Sequence, residues 1–400
     1  MKATRRSKVQ RLCVDRISTL PQTIIEIILC FLSIQEAART SILSKEWRYK
    51  WTKIPKLVFD DSVVDSLESL GKVQMKAWNR HSSENMTSIS KVFYAIYQVL
   101  LLRQAPIHEF TLDVVADCDC FELDQIILHL SRNHAVKKLK LKSEYEFRYR
   151  VPLSVFSMHH LTNLHLEYCD LDHKPTFRGF HSLRSLYLKY GTIPTKTLLH
   201  LLSNSPSLKS FTLLVEHWEL GSKECTITEL FACLHVVEHL TTWPLILGWF
   251  ALDPLPKELP TLINLKYFYF KEMCFYCGQG LTFIAVMLKF SPNLEKIKIK
   301  TDSDEPYNPH DCCENDVIPP NTLEKYSDVW LKHLNELEIY YMFDTNVKSV
   351  LEFVKFILAR SPKLKKVNIL SVLEKDEEFQ VLKDLLRAPR TSPVEIDVHD

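Results

Sequence analysis

Glycine is scarce in this chain, with seven residues in 400. Only Gly278 and Gly280 form a Gly-x-Gly pair. That leaves no loop to close around a nucleotide phosphate, and it excludes a P-loop and a dinucleotide fingerprint. Gly-x-Ser-x-Gly and His-Glu-x-x-His are missing as well. The sixteen histidines are scattered: His159 and His160 precede a predicted strand, and His129 and His134 flank a predicted helix end. They form no catalytic constellation. An excess of either charge is lacking too. Lysine and arginine number 50 against 49 acids, a net charge of +1, which argues against a dedicated nucleic-acid partner. No apolar run approaches the ~18 residues of a membrane span. The longest, Trp243 to Leu252, is interrupted by Pro244 and Gly248, so no membrane partner is expected.

The N-terminus has no apolar signal core. Lys2, Arg5, Arg6, Lys8 and Arg11 make residues 1–13 a basic flexible tail, either a solvated flank or an aid to nuclear import. Without a secretory signal, the eleven cysteines read as reduced thiols of the cytoplasm and/or nucleus. Cys274-x-x-Cys277 and Cys312-Cys313, with His310 nearby, do not repeat a zinc spacing. Neither a metal nor a cofactor is expected.

Apolar residues are abundant between Asp15 and Trp51. Pro21 suits the first position of a helix. From Ile24 to Leu32 only Glu26 is polar, so the predicted helix has no wet face and must be covered all round. Ser33-x-x-Glu36 reads as a capping box opening a second helix through Leu43. A third helix is predicted with Leu43, Trp47 and Trp51 at i, i+4 and i+8 on one face. Three short helices cover one side of the first and leave its other side needing a partner.

These residues resemble a plant F-box: Asp15, Arg16, Ile17, Ser18, Leu20, Pro21, Ile24, Ile25, Ile28, Leu29 and Leu32, then Ala37, Arg39, Thr40, Ser41, Leu43, Ser44, Lys45, Trp47, Arg48 and Trp51. The resemblance implies an F-box over residues 14–53. It also implies docking to a Skp-type adaptor, and through it to a cullin–RING ubiquitin ligase. The expected adaptor-binding residues are Leu20, Pro21, Ile24, Ile25, Ile28, Leu29, Leu32, Leu43, Trp47 and Trp51. Read from the residues alone, the segment could instead be a helical cap on the next domain.

That domain is organised by a repeat, apolar-x-x-apolar-x-apolar. It occurs at Ile107/Phe110/Leu112, Val136/Leu139/Leu141, Leu161/Leu164/Leu166, Leu183/Leu186/Leu188, Leu208/Phe211/Leu213, Val237/Leu240, Leu265/Phe268/Phe270, Leu294/Ile297/Ile299, Leu334/Leu337/Ile339 and Leu364/Val367/Ile369. Ile54/Leu57/Phe59 supplies an opening strand. Most intervals are 22 to 30 residues, the leucine-rich-repeat range. Cys169 takes the Asn/Cys turn position, with Gly191 and Met273 at the same offset. Amphipathic helices stop before Pro206, Pro292 and Pro362, each succeeded by a strand.

The interval from Leu294 to Leu334 is longer and carries an acidic, proline-bearing loop from Asp302 to Pro320. Beyond it a helix is predicted around Val347 to Ala359, with a closing strand at Val394/Ile396/Val398. Leu334, Leu337, Ile339, Phe343, Glu352, Phe356, Ile357, Leu358, Pro362, Leu364 and Ile369 resemble the FBD module of a large plant F-box family. Arg360-Ser361 and Asp344 depart from its usual Asn-Ala and Gly.

The expected fold is α/β: an N-terminal three-helix F-box, an irregular leucine-rich-repeat solenoid (a horseshoe) over 54–320, and an FBD-like C-terminal module over 321–400. Residues between the apolar strand positions point to the concave face. Lys138, Lys140 and Lys142 on one strand and Lys296, Lys298 and Lys300 on another flank Tyr187, Tyr267 and Tyr269. Like charges so close are unfavourable unless an anion relieves them, so the face is expected to bind an acidic or phosphorylated segment of a protein target. An ordinary solvated strand face would carry lysines too. The function expected is substrate recognition for a Skp–cullin–F-box (SCF) ubiquitin ligase, a non-catalytic role. The alternative is a non-degradative leucine-rich scaffold or decoy with a silent F-box.

Overall fold

A computed structural model describes residues 17, 19–60, 88–113, 120–144, 148–172, 178–214, 226–243, 258–273, 275, 278–301, 323–341, 347–371 and 375–399. The chain forms two compact units, Met1–Val114 with Arg132–Val136, and Val115–Ser131 with Lys137–Asp400.

In the first unit Pro21 is the cap of helix α1 (Gln22–Leu29), one residue outside the expected position. Its carbonyl accepts the Ile24 and Ile25 N–H groups at 2.9 and 3.2 Å. Helix α2 (Ile34–Arg39) opens with the expected capping box. The Ser33 N–H donates to the Glu36 carboxylate (3.1 Å) and the Glu36 N–H donates to Ser33 Oγ (3.3 Å). The helix does not run to Leu43. Thr40 Oγ1 donates to the Ala37 carbonyl at 2.6 Å and Ser41 Oγ donates to that of Ala38. These side chains compete for the last helical carbonyls, and the chain tightens into a 3-10 turn at Thr40–Ile42. The expected third helix is also corrected. Turns lead to a second 3-10 segment at Lys50–Lys53, Trp47 and Trp51 are buried, and Leu43 is 66% exposed. The three residues therefore share no face.

Strand β1 (Lys56–Phe59) pairs in parallel with β2 (Glu109–Asp113), matching Leu57 to Phe110 and Phe59 to Leu112. Helix α3 spans Ser88–Leu101. Just beyond it, the Arg103 guanidinium donates to the carbonyls of Trp51 (3.5 Å), Ile54 and Ala105 (3.4 Å). Burial lowers its pKa to about 10, so it stays charged at neutral pH. The Gln104 N–H reaches Thr52 O, and His108 and Glu109 both donate to Pro55 O. The helical segment and the first strand pair are thus fastened as one body.

Among the described residues the main sheet of the second unit holds ten parallel strands in chain order. They are β3 (Lys138–Lys142), β5 (Asn163–Glu167), β7 (Ser185–Lys189), β8 (Ser210–Leu214), β9 (His239–Thr242), β10 (Tyr267–Phe270), β11 (Lys296–Lys300), β12 (Glu336–Tyr341), β13 (Lys366–Ser371) and β14 (Glu395–His399). A small side pair joins β4 (Tyr149–Arg150) to β6 (Cys169–Asp170). Helices α4 (Phe121–Asn133), α5 (Thr195–Ser203), α6 (Ile227–Leu234), α7 (Gly278–Phe290), α8 (Val347–Leu358) and α9 (Lys375–Leu386) lie between strands in the chain.

The predicted apolar repeat positions are buried from Val136 through Ile369, each contributing about 1.5–3 kcal/mol relative to exposure. The strands alternate because one face is covered and the other is not. Their first apolar residues share one device. Leu161, Leu183, Leu208, Val237, Leu265, Leu294, Leu334 and Leu364 each donate an N–H to the carbonyl three residues earlier. In three repeats that carbonyl belongs to Ser205, Ser291 or Ser361, the buried serine before a proline. The proline bars further helix and the turn hands the chain to the next strand.

Cys169, expected at a turn, opens the short strand β6 instead; its Sγ donates to Glu167 O (3.3 Å) and Leu141 O (3.8 Å), and burial pushes the thiol pKa far up. Gly191 is required nearby, because an added Cβ would stand 1.8 Å from the Cys169 carbonyl oxygen. The acidic loop at 302–320, Phe343, Asp344, Cys274, Cys277, Cys312, Cys313, His310 and the basic tail lie outside the described residues.

An Arg103→Met chain is expected to lose about 1–3 kcal/mol of protection at the β1 and β2 amides. Hydrogen exchange would read this, with β7 and β8 unchanged as internal reference. Equal protection in both chains would mean that the guanidinium contributes nothing net.

Candidate functional site

Two surfaces present side chains that packing within their unit does not use. The first is on α1, α2 and the turn after them. Ile25 and Leu29, at i and i+4 on α1, are each 1% exposed, and Ile34, Ala37, Trp47 and Trp51 complete that interior. On the other side of α1, Ile24, Ile27 and Ile28, with Phe31 just past its end, take the i, i+3, i+4, i+7 spacing and all remain exposed. Leu20, Leu32, Leu43 and Ile17 join them, with Phe31 at 85% and Ile42 at 87% exposure.

Of the ten expected docking residues, Leu20, Pro21, Ile24, Ile28, Leu32 and Leu43 are therefore at the surface. Ile25, Leu29, Trp47 and Trp51 are not: they form the core on which α1 rests, and a partner cannot reach them. Ile17, Ile27, Phe31 and Ile42 were not among the expected residues. For Ile27 and Phe31 the signal was the second helical stripe, hidden in a run with too little polarity to mark a wet side; Ile17 and Ile42 lie outside that run. Exposed apolar residues gathered on one short segment mark an interaction site.

The second surface is the face of the ten-stranded sheet bearing the residues between the buried positions. Lys296 lies in register with Glu336, and Lys298 with Glu338. Lys296 Nζ is 3.0 Å from Glu336 and 2.6 Å from Glu338, and Lys298 Nζ is 3.7 Å from Glu338. Lys298 also sits over the rings of Tyr269 (5.1 Å) and Tyr340 (4.5 Å). The expected unrelieved ladder is corrected here, since the neighbouring strand supplies the anions. Burial opposes the charge on Lys296, but hydrogen bonds to Glu338 and Glu336 outweigh it and raise its pKa. Burial likewise raises that of Glu338, and Lys296 and its neighbours overcome this and lower it.

Lys138, Lys140 and Lys142 face Asn163, His165 and Glu167 in register. Glu167 is also held by Lys189 (3.4 Å) and His165 (3.6 Å). Six strand spacings separate β3 from β11, about 29 Å along the sheet, so the two lysine sets do not converge on one site. Tyr187 stacks on His165 with ring centroids 4.0 Å apart. Tyr267 lies 5.7 Å from His239, and Tyr269 neighbours Lys271 and Lys298.

A further cluster was not foreseen. Tyr168, Tyr190, Leu214 and Trp243 are buried together at the ends of β5, β7, β8 and β9. Tyr168 and Tyr190 reach it through left-handed backbone, with φ of 54° and 55°, and their rings stack at 4.9 Å. Among the described residues no cluster of three His, Cys, Asp or Glu could hold a metal ion, and no helix is long and apolar enough to cross a membrane.

Residues 17–59 match the F-box domain model. Residues 124–242 match the model described as FBD-associated F-box protein At5g56370, LRR repeats. The F-box/FBD/LRR-repeat protein At1g13570 of Arabidopsis thaliana is 29% identical over 431 residues, covering 95% of this chain and 97% of that protein. The F-box/FBD/LRR-repeat protein At3g26920 of the same plant is 22% identical, covering 94% of each. Among solved structures, the leucine-rich repeat-containing protein LegL7 from Legionella pneumophila aligns with a TM-score of 0.40 and 13% identity, over 74% of this chain and 85% of that one.

The ion pairs across β11 and β12 make a pH prediction. Glu338 has a folded pKa below its ordinary 4.5, so its contribution is complete above pH 4.5 and fades as pH falls through the lowered value. Lys296 is raised above 10.5, so its contribution is complete below that value and fades as pH rises further. For half-exposed pairs each effect is about 1 kcal/mol or less. Melting temperature against pH should show the acid loss in the parent and a flatter curve in Glu338→Gln. Superimposable curves would mean that the pairs carry no net stability.

Proposed function

The chain is a member of the F-box/FBD/LRR-repeat proteins, and from that premise we propose that it is the substrate-recognition subunit of an SCF ubiquitin ligase. The observation that carries this is the exposed apolar stripe of Ile24, Ile27, Ile28 and Phe31, with Leu20, Leu32, Ile42 and Leu43 beside it. Burying such side chains against a partner gains about 25 cal/mol per Å² before the costs of association. A Skp-type adaptor would cover them and join the chain to a cullin–RING ligase, whose other subunits perform the ubiquitin chemistry in the cytoplasm and/or nucleus. Ile25, Leu29, Trp47 and Trp51 hold α1 in place beneath that surface.

The outward sheet face would take the protein target. Tyr187, Tyr267 and Tyr269 offer contact area at low entropy cost. An acidic or phosphorylated segment would meet Lys138, Lys140 and Lys142. Over β11 it would have to displace Glu336 and Glu338 from Lys296 and Lys298, and Lys300 would stand at the far end of that strand.

Ile24→Asp with Ile28→Asp is expected to abolish co-purification with a Skp-type adaptor. Both side chains face outward, so the chain should melt as the parent does. Retained adaptor binding would sink the docking assignment and favour a scaffold with a silent F-box. For the target face, proteins co-purifying with the parent should fall away from a Lys138→Glu, Lys140→Glu, Lys142→Glu chain, and their capture by the parent should weaken with salt. Identical captured sets from the two chains, independent of salt, would place recognition elsewhere.

A further inference from the structure

The charges on the outward face alternate strand by strand toward the C-terminal edge of the sheet. Lys296 and Lys298 on β11 meet Glu336 and Glu338 on β12. Glu336 is in register with Lys366 on β13, and Lys366 with Glu395 on β14. Lys366 Nζ also lies 3.5 Å from Asp397. The series is basic, acidic, basic, acidic, and it stops on an acidic strand. Among the described residues β14 pairs only with β13.

The outer edge of β14 is also under-covered. Val367 and Ile369 on β13 are completely buried, while Ile396 and Val398, the matching positions on β14, are only half-buried. Helix α9 packs against β14 and leaves Phe379 67% exposed, with Leu386 exposed too. Glu395 donates its N–H to Lys365 O on the inner side. Backbone groups alternate sides along a strand, so the N–H groups of Ile396 and Val398 turn to the outer edge. An exposed edge with unused donors is a template for strand addition.

We propose that β14 accepts an extended segment of a partner protein in which lysine or arginine alternates with β-branched apolar residues. The apolar residues would cover Ile396 and Val398, and the basic ones would stand opposite Glu395 and Asp397, as Lys366 does on the inner side. A second copy of this chain fits less well, because β14 against β14 sets acids on one face against acids.

The test uses two labelled peptides and the full chain. One peptide has the sequence of residues 294–301, which alternates lysine with isoleucine. The other replaces its three lysines by glutamate. The parent should bind the lysine peptide about tenfold more tightly than the glutamate peptide. Glu395→Lys with Asp397→Lys should reverse that order, which a misfolded chain could not do. Hydrogen exchange should slow at the Ile396 and Val398 amides when the lysine peptide binds. Equal binding of both peptides, an order unchanged in the double variant, or no slowing at those amides would each overturn the proposal. So would a parent dimer in sedimentation that Ile396→Lys dissociates, since the occupant would then be a second copy.

Discussion

One line of apolar side chains runs through the larger unit, a residue from each strand: Leu139, Leu164, Leu186, Phe211, Leu240, Phe268, Ile297, Leu337, Val367 and Ile396. Each is in register with the next. All but the last are buried almost completely. Parallel pairing can repeat this only if the chain returns to the same end of the sheet after every strand. The i→i+3 turns before β5 and before β7 through β13, with the intervening helices or loops, accomplish that return. Slipping one strand by a single residue would push its rib side chain to the outer face and break contact on both sides. The rib therefore fixes register, and register decides which outward side chains become neighbours.

The lysines of β11 illustrate how far that control reaches. Lys296, Lys298 and Lys300 in isolation are three like charges on one face. Set against Glu336 and Glu338 by the rib they become a network of ion pairs with a cation held over two tyrosine rings. Exposed pairs of this kind add little stability, and their larger effect is on what the surface can bind. An incoming acid competes with carboxylates already in place. Lysines, glutamates and tyrosines on this stretch act together as a polar surface with its charges matched.

Period-two alternation made the strands legible, because each has one covered face and apolar residues only on that side. The capping box at Ser33 and Glu36 was legible for a similar reason: its meaning depends on local spacing alone. Four features were not. From Ile24 to Leu32 every residue but Glu26 is apolar, so nothing in the composition told Ile25 and Leu29, which go inside, from Ile24 and Ile28, which stay out. Leu43, Trp47 and Trp51 had helical spacing, but Thr40 and Ser41 had already drawn the backbone into a tighter turn. Helix α9 was missed because it opens with Lys375, Asp376, Glu377 and Glu378, and among its described side chains only Val381 and Leu385 are buried. The pairing of Lys296 with Glu338 needed the register of residues 42 positions apart, which no short-range pattern carries.

The division between rib and outward positions also separates what can vary from what cannot. Removing a buried leucine or isoleucine from the rib leaves a cavity and costs about 2–5 kcal/mol, and neighbours on two strands share the loss. Exchanging an outward residue such as Ser185, Ser210 or Thr212 alters no buried contact, and such surface changes fall within about 0.5 kcal/mol. A repeat array can therefore acquire a different outward face without reopening its folding problem. The same separation does not hold on α1. There a buried and an exposed isoleucine are adjacent in sequence, so a change meant for the docking side lies one residue from the core that positions it.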